Sequence, residues 1–140
     1  MLKYQNILKK NLTKIRVRYG ETDQMGVVYY GNYALYIEQG RTEWLRAIGI
    51  SYKWMEDNGI MLPVVHFSID YKASAYYDDW ITVETRLSEM PNVKIQFEYN
   101  VFNEENKLLA TAKTVLVFID KKTGKIVRAP QYLLEKLKED

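Results

Sequence analysis

The sequence predicts an α+β domain in which one antiparallel sheet of five strands wraps around a single long helix. Three observations carry this. A half-polar alternating run opens the chain. One stretch of helical period follows it. Four further runs of period two come after that, joined by links short enough for antiparallel neighbours. At 140 residues, the whole of 1–140 is expected to be one domain.

Thr13 to Tyr19 alternates, with Ile15, Val17 and Tyr19 on one side and Lys14, Arg16 and Arg18 on the other, the pattern of a half-buried strand. A polar stretch, Gly20 to Gly26, and a short apolar run, Val27 to Tyr30, lead to the change of period. Tyr33, Tyr36, Ile37, Gly40, Trp44, Ala47 and Ile48 then fall on one helical stripe. Asn32 is the expected N-cap and Gly49 the expected stop. Gly40 on the buried face costs about 1 kcal/mol against Ala, so its presence there predicts a sheet pressed against the helix. Ser51 to Asn58 reads as a short second helix ending at Gly59.

After Pro63 the period returns to two. Val65, Phe67, Ile69 and Tyr71 alternate with His66, Ser68, Asp70 and Lys72. Ile81 to Leu87 and Val93 to Val101 alternate in the same way. Leu108 to Ile119 is apolar on both sides in its later part, which predicts a central strand. Thr123-Gly124 is a turn, and Tyr132, Leu133 and Leu137 mark a terminal helix. An open sheet of this kind has edges, and an edge invites a second copy.

The composition excludes several functions. There are no cysteines, which rules out disulfides, a thiol nucleophile and thiolate metal sites. One histidine, His66, rules out a histidine-rich metal centre. A net charge of +2 gives no reason to expect nucleic acid. No apolar run reaches the roughly 18 residues of a membrane span. Met1 to Lys14 lacks a continuous signal-peptide core, so a cytoplasmic protein is expected. The 12 tyrosines against 4 phenylalanines suit half-wet clefts and interfaces, although strand propensity accounts for much of the excess.

The chemistry is sought in the loop before the long helix. A helix N-terminus offers unpaired amides and partial positive charge to an oxyanion, and Asp23 lies just upstream of one. A carboxylate there can activate water or attack a carbonyl while the amides hold the developing charge, which is what ester or thioester hydrolysis requires. Gly26 and Gly31 would let backbone approach a substrate. The plainer role of Asp23 is to organise its own turn.

The run Arg18-Tyr19-Gly20-Glu21-Thr22-Asp23-Gln24-Met25-Gly26-Val27-Val28-Tyr29-Tyr30-Gly31-Asn32-Tyr33, continuing to Glu38 and Arg41, resembles the signature of the 4-hydroxybenzoyl-CoA thioesterase family. More narrowly, it is similar to the acyl-CoA thioesterases associated with the Tol-Pal genes. A second block, Ala75 to Glu84, is similar to the same family, and the likeness runs from about Lys14 to Pro130. The resemblance implies a hot-dog fold, hydrolysis of an acyl-CoA, and active sites between the subunits of a homodimer or homotetramer; acyl-carrier protein is the alternative thioester carrier. It implies no metal and no other cofactor. The catalytic aspartate falls on Asp23, and the carbonyl-polarising amide on Tyr30 with Gly31 beside it. Gly26, Val28, Tyr33 and Glu38 are then the expected substrate-binding positions.

Two departures matter. Many Tol-Pal-associated relatives carry histidine where this chain has Tyr30, so only the backbone amide carries over. The basic pair that grips coenzyme A phosphates in some relatives is replaced by Met90-Pro91-Asn92, with Lys94 nearby. Glu38 is the reserve carboxylate, its plainer role an ion pair with Arg41. His66 would serve a hydratase or dehydratase on this fold, but the proline-rich histidine motif of those enzymes is absent. A non-catalytic acyl-CoA or acyl-carrier binding module is the third reading. Asp78 and Asp79 more simply set a turn. Lys121, Lys122, Lys125 and Arg128 form a charged cluster near the C-terminus.

Overall fold

The structure is a computed structural model and describes residues 9–138. The first eight residues of the Met1–Lys14 segment therefore lie outside the described residues. Seven strands appear in chain order: β1 (Lys10–Arg16), β2 (Ile60–Met61), β3 (Val64–Tyr71), β4 (Trp80–Leu87), β5 (Lys94–Phe102), β6 (Leu108–Asp120) and β7 (Ile126–Val127). The helices are α1 (Tyr33–Ala47), α2 (Tyr52–Asp57) and α3 (Gln131–Lys138), with 3-10 turns at Tyr19–Glu21 and Tyr30–Asn32.

Five long strands pair antiparallel in the order β1-β4-β5-β6-β3, and the two-residue strands β2 and β7 flank the end of β6. The alternation in β4 and β5 is realised: Ile81, Val83, Thr85 and Leu87, with Ile95, Phe97, Tyr99 and Val101, are all buried. These side chains meet the face of α1 that carries Tyr36, Ile37, Gly40 and Trp44. A Cβ on Gly40 would come within 2.7 Å of Val83 Cγ1 and 2.8 Å of Thr85 Oγ1, so glycine sits where helix and sheet touch. β6 is central, as its two-sided apolar pattern requires.

Several expectations need correction. β1 begins at Lys10 and ends at Arg16 rather than spanning Thr13 to Tyr19, because Val17 already exchanges backbone bonds with Asp78 and Asp79 (3.0 and 2.9 Å). Asn32 is not a side-chain N-cap: its backbone is helical, and its Nδ2 donates to the Glu21 carbonyl at 2.8 Å. On α1, Ala47 is exposed while Arg41 and Leu45 are buried. The alternation of β3 buries little: Ile69 is half-buried, and Val64, Val65, Phe67 and Tyr71 are exposed. The reason is topological, since β3 pairs with β6 on one side and, among the described residues, has no strand on the other. Gly49, at φ +88°, ends α1 as expected.

Candidate active site

The Asp23 loop is closed by its own backbone. Thr22 bridges Val28, the Asp23 N–H donates to the Val27 carbonyl (2.9 Å), and the Tyr29 N–H donates to the Glu21 carbonyl (3.0 Å). Asp23 stands exposed at the tip. One of its oxygens, Oδ1, accepts from the Met25 N–H at 2.8 Å. Asp23 therefore does organise its turn, and its second oxygen has no partner among the described residues. Gly26 supplies the positive φ (79°) the turn needs, and no atom lies within 4 Å of the space its side chain would fill. At Gly31 the constraint is steric instead: a Cβ there would meet the Tyr29 ring at 2.8 Å.

Glu21 fastens this loop to α1. Its Oε1 accepts from the Arg18 N–H (2.8 Å) and the Tyr36 hydroxyl (2.8 Å), and Oε2 accepts from Arg18 Nε (3.1 Å). Burial pushes the carboxyl up, but these donors and the Arg18 charge outweigh it, and its pKa lies below the ordinary value. Asn32 Nδ2 on the Glu21 carbonyl is a second tie.

At the turn into α1, the N–H groups of Tyr30 and Gly31 have no acceptor among the described residues. They are the unpaired amides that a helix start exposes. The Tyr30 carbonyl, by contrast, accepts from the Tyr33 N–H and from the Tyr71 hydroxyl (3.1 Å). Tyr30, Tyr33 and Tyr71 pack edge-to-face, with Tyr71 at 6.4 Å from Tyr30 and 5.3 Å from Tyr33, and together with Val28, Lys72, Ala73 and Ser74 they line a cleft of about 340 Å³. Val28 and Tyr33 are largely buried; Val28 is held by its N–H on the Ala75 carbonyl (2.9 Å). A larger cleft, about 540 Å³, opens near the other end of α1 beside Lys9, Trp44 and Gly49, but no residue of the Asp23 loop reaches it.

The remaining expected residues fall elsewhere. Glu38 is exposed and makes no ion pair among the described residues. Arg41 is turned under the sheet, where Nε donates to the Tyr52 hydroxyl (2.8 Å) and Nη1 to the Tyr99 hydroxyl (3.3 Å), so the Glu38–Arg41 pair does not form. Burial pushes the Tyr52 hydroxyl up to about 12 despite the adjacent guanidinium. His66 lies on the outer edge strand opposite Val115, away from the Asp23 loop. Asp79 accepts from the Tyr76 N–H (2.9 Å) and Asp78 pairs with Arg16 (3.0 Å), so both serve the turn before β4. The basic C-terminal cluster follows Asp120, whereas the cleft adjoins Leu109. The eleven residue steps of β6 from Leu109 to Asp120 span on the order of 35 Å, too far for one protomer's site. Lys94, paired with Val117, shares that remote end. Sequence reading missed Glu21, Tyr71, Lys72 and Ser74; the only signal was the tyrosine excess and the end of the β3 alternation.

Residues 17–137 match the model of the thioesterase-like superfamily. The chain belongs to that family. It is 36% identical over 104 residues to the acyl-CoA thioesterase YbgC of Haemophilus influenzae, covering 74% of this chain and 75% of the relative. To the acyl-CoA thioester hydrolase YbgC of Escherichia coli O6:H1 it is 30% identical over 125 residues, 89% and 93% of the two chains. The crystal structure of a DHNA-CoA thioesterase from Staphylococcus aureus superimposes with a TM-score of 0.84 at 36% identity, covering 90% of this chain and 85% of that one. The fold is the hot-dog fold of these thioesterases. Among the described residues, no helix is long and apolar enough to cross a membrane.

Proposed function

We propose that this thioesterase-family protein hydrolyses an acyl-CoA thioester to the free acid and coenzyme A, with Asp23 as the catalytic carboxylate and the Tyr30 and Gly31 amides as the oxyanion hole. The observation that carries the reading is the pair of unengaged N–H groups at the start of α1, on the same closed loop as a carboxylate with a free oxygen. A thioester carbonyl oxygen seated on those amides gains two donors as it becomes an oxyanion. Asp23, as base, takes a proton from water attacking the carbonyl carbon; as nucleophile, it attacks the carbon itself and water resolves the mixed anhydride. The leaving thiolate takes the proton in either route. The cleft formed by Tyr30, Tyr33 and Tyr71 takes the acyl group, with Val28 at its floor and Gly26 setting the loop beside it.

The active form is proposed to be a homodimer, or a pair of dimers, joined along β3. Tyr71 belongs both to this open edge strand and to the cleft wall, so a second copy there would finish the site. Acyl-carrier protein is retained as an alternative thioester carrier, and a cytoplasmic location follows from a coenzyme A substrate.

The test is thiol release from a panel of acyl-CoA esters by wild type and Asp23→Asn, which keeps the side-chain shape and the turn bond from Met25. A loss of at least 100-fold in kcat is expected. An Asp23→Asn variant that retained near wild-type turnover would remove Asp23 from the mechanism.

A further inference from the structure

Resting on the thioesterase reading, a finer property of the same cleft can be drawn from how its polar groups are used. One tyrosine hydroxyl of the cleft is already committed. Tyr71 donates to the Tyr30 carbonyl at 3.1 Å. The wall formed by residues 72–74 is different. Among the described residues, Lys72 is the only charged residue at the cleft, and no carboxylate residue lines it. Lys72 makes no ion pair among the described residues. The Ser74 hydroxyl likewise has no partner among the described residues.

The backbone behind these groups is fixed. The N–H groups of Lys72 and Ala73 both donate to the Leu109 carbonyl, at 2.8 and 3.1 Å, which ties this wall to the start of the central strand β6. Lys72, an exposed residue, therefore extends from an ordered backbone, and a support of that kind lowers the ordering cost of a contact. A purely hydrocarbon acyl group filling the cleft would leave Lys72 and Ser74 with water alone. An acyl group with an oxygen acceptor would give the ammonium a charge-assisted hydrogen bond.

We infer that Lys72 is a specificity-determining residue, selecting acyl groups that carry an oxygen acceptor (a carboxylate, phenolate or hydroxyl) beyond the thioester carbonyl. Lysine at the end of an edge strand also discourages sheet extension, and that structural role makes a different prediction, because it is blind to the substrate.

The experiment compares kcat/KM within matched pairs: glutaryl-CoA against valeryl-CoA, and a hydroxybenzoyl-CoA against benzoyl-CoA. Each pair is measured on wild type, Lys72→Met and Lys72→Arg. Because each ratio is taken on one preparation, partial misfolding cancels. In at least one pair the wild type should favour the oxygen-bearing member. Lys72→Met should lower that ratio roughly tenfold or more, the scale of one charge-assisted hydrogen bond, and Lys72→Arg should keep most of it. The two pairs separate a carboxylate from a ring hydroxyl as the group recognised. Hydrolysis of all four esters with ratios unmoved by Lys72→Met overturns the inference and leaves the thioesterase reading intact. No hydrolysis of any ester by wild type overturns both.

Discussion

Glu21 decides whether Asp23 and the Tyr30 amide belong to one site. It accepts three hydrogen bonds at the junction of loop and helix, and its pKa is held below the ordinary 4.5. A depressed carboxylate stabilises the fold above its unfolded pKa, and that contribution is lost as pH falls through the folded value. Glu21→Gln should therefore lower Tm near neutral pH by an amount worth about 1 kcal/mol, and the gap to wild type should close as pH drops below the ordinary carboxylate range. Thermal melts across pH 3 to 7 check this, and a gap independent of pH would contradict it. At this scale the sequence was legible where chemistry is local. Asp23 in a turn, Gly26 beside it and the acidic turn before β4 follow from short-range preference. The lock made by Glu21 did not show, because Tyr36 meets it only after α1 has folded back across the loop. Arg41 was misread for the same reason, since its partners Tyr52 and Tyr99 come from distant elements.

Among the elements, α1 and strands β4 and β5 were readable because each buries one whole face against the other, and burial writes its period into the sequence. The two-residue strands β2 and β7 are too short to show a period, and the start of β1 is masked by Lys10 and Asn11. Gly40 was a more specific signal than any periodicity, because a glycine on a buried helical face required a close neighbour. Gly40→Ala would gain about 1 kcal/mol of helix propensity but drive a methyl into Val83 and Thr85, where overpacking typically costs about 1–3 kcal/mol. The net effect expected is a lower urea midpoint with an unchanged slope. A raised midpoint would mean that the helix can move off the sheet freely.

For the whole molecule, the open edge is the main determinant. β3 leaves Val64, Val65, Phe67 and Tyr71 exposed, which is unusual for an edge strand that has to avoid random pairing. A second copy of this 16.6 kDa chain is the proposed cover. Under that proposal, light scattering finds twice or four times the chain mass, and Phe67→Asp shifts the protein to the monomer mass with loss of thiol release. A wild type that stays monomeric and fully active at assay concentration would reject it. Nothing in the residue pattern distinguishes which edge pairs, because β1 and β3 alternate equally well. The difference lies in what α1 covers, and that is settled only when the sheet closes around it.

The closure of the Asp23 loop has a further consequence in time rather than space. Most of its ties are local, Thr22 to Val28 and Glu21 to Tyr29, Asn32 and Tyr36, and the long-range ones go to a single short turn, where Val28 donates to Ala75, Val27 bridges Tyr76 and Gly26 accepts from Tyr77. Such a segment can open and reclose together with residues 75–77 as one cooperative unit before the sheet itself opens. In hydrogen exchange, the amides of Asp23, Gly26 and Tyr29 should then share one opening rate, faster than that of β5. Each such opening would dismantle the carboxylate and the oxyanion hole together, so the site would be either whole or absent.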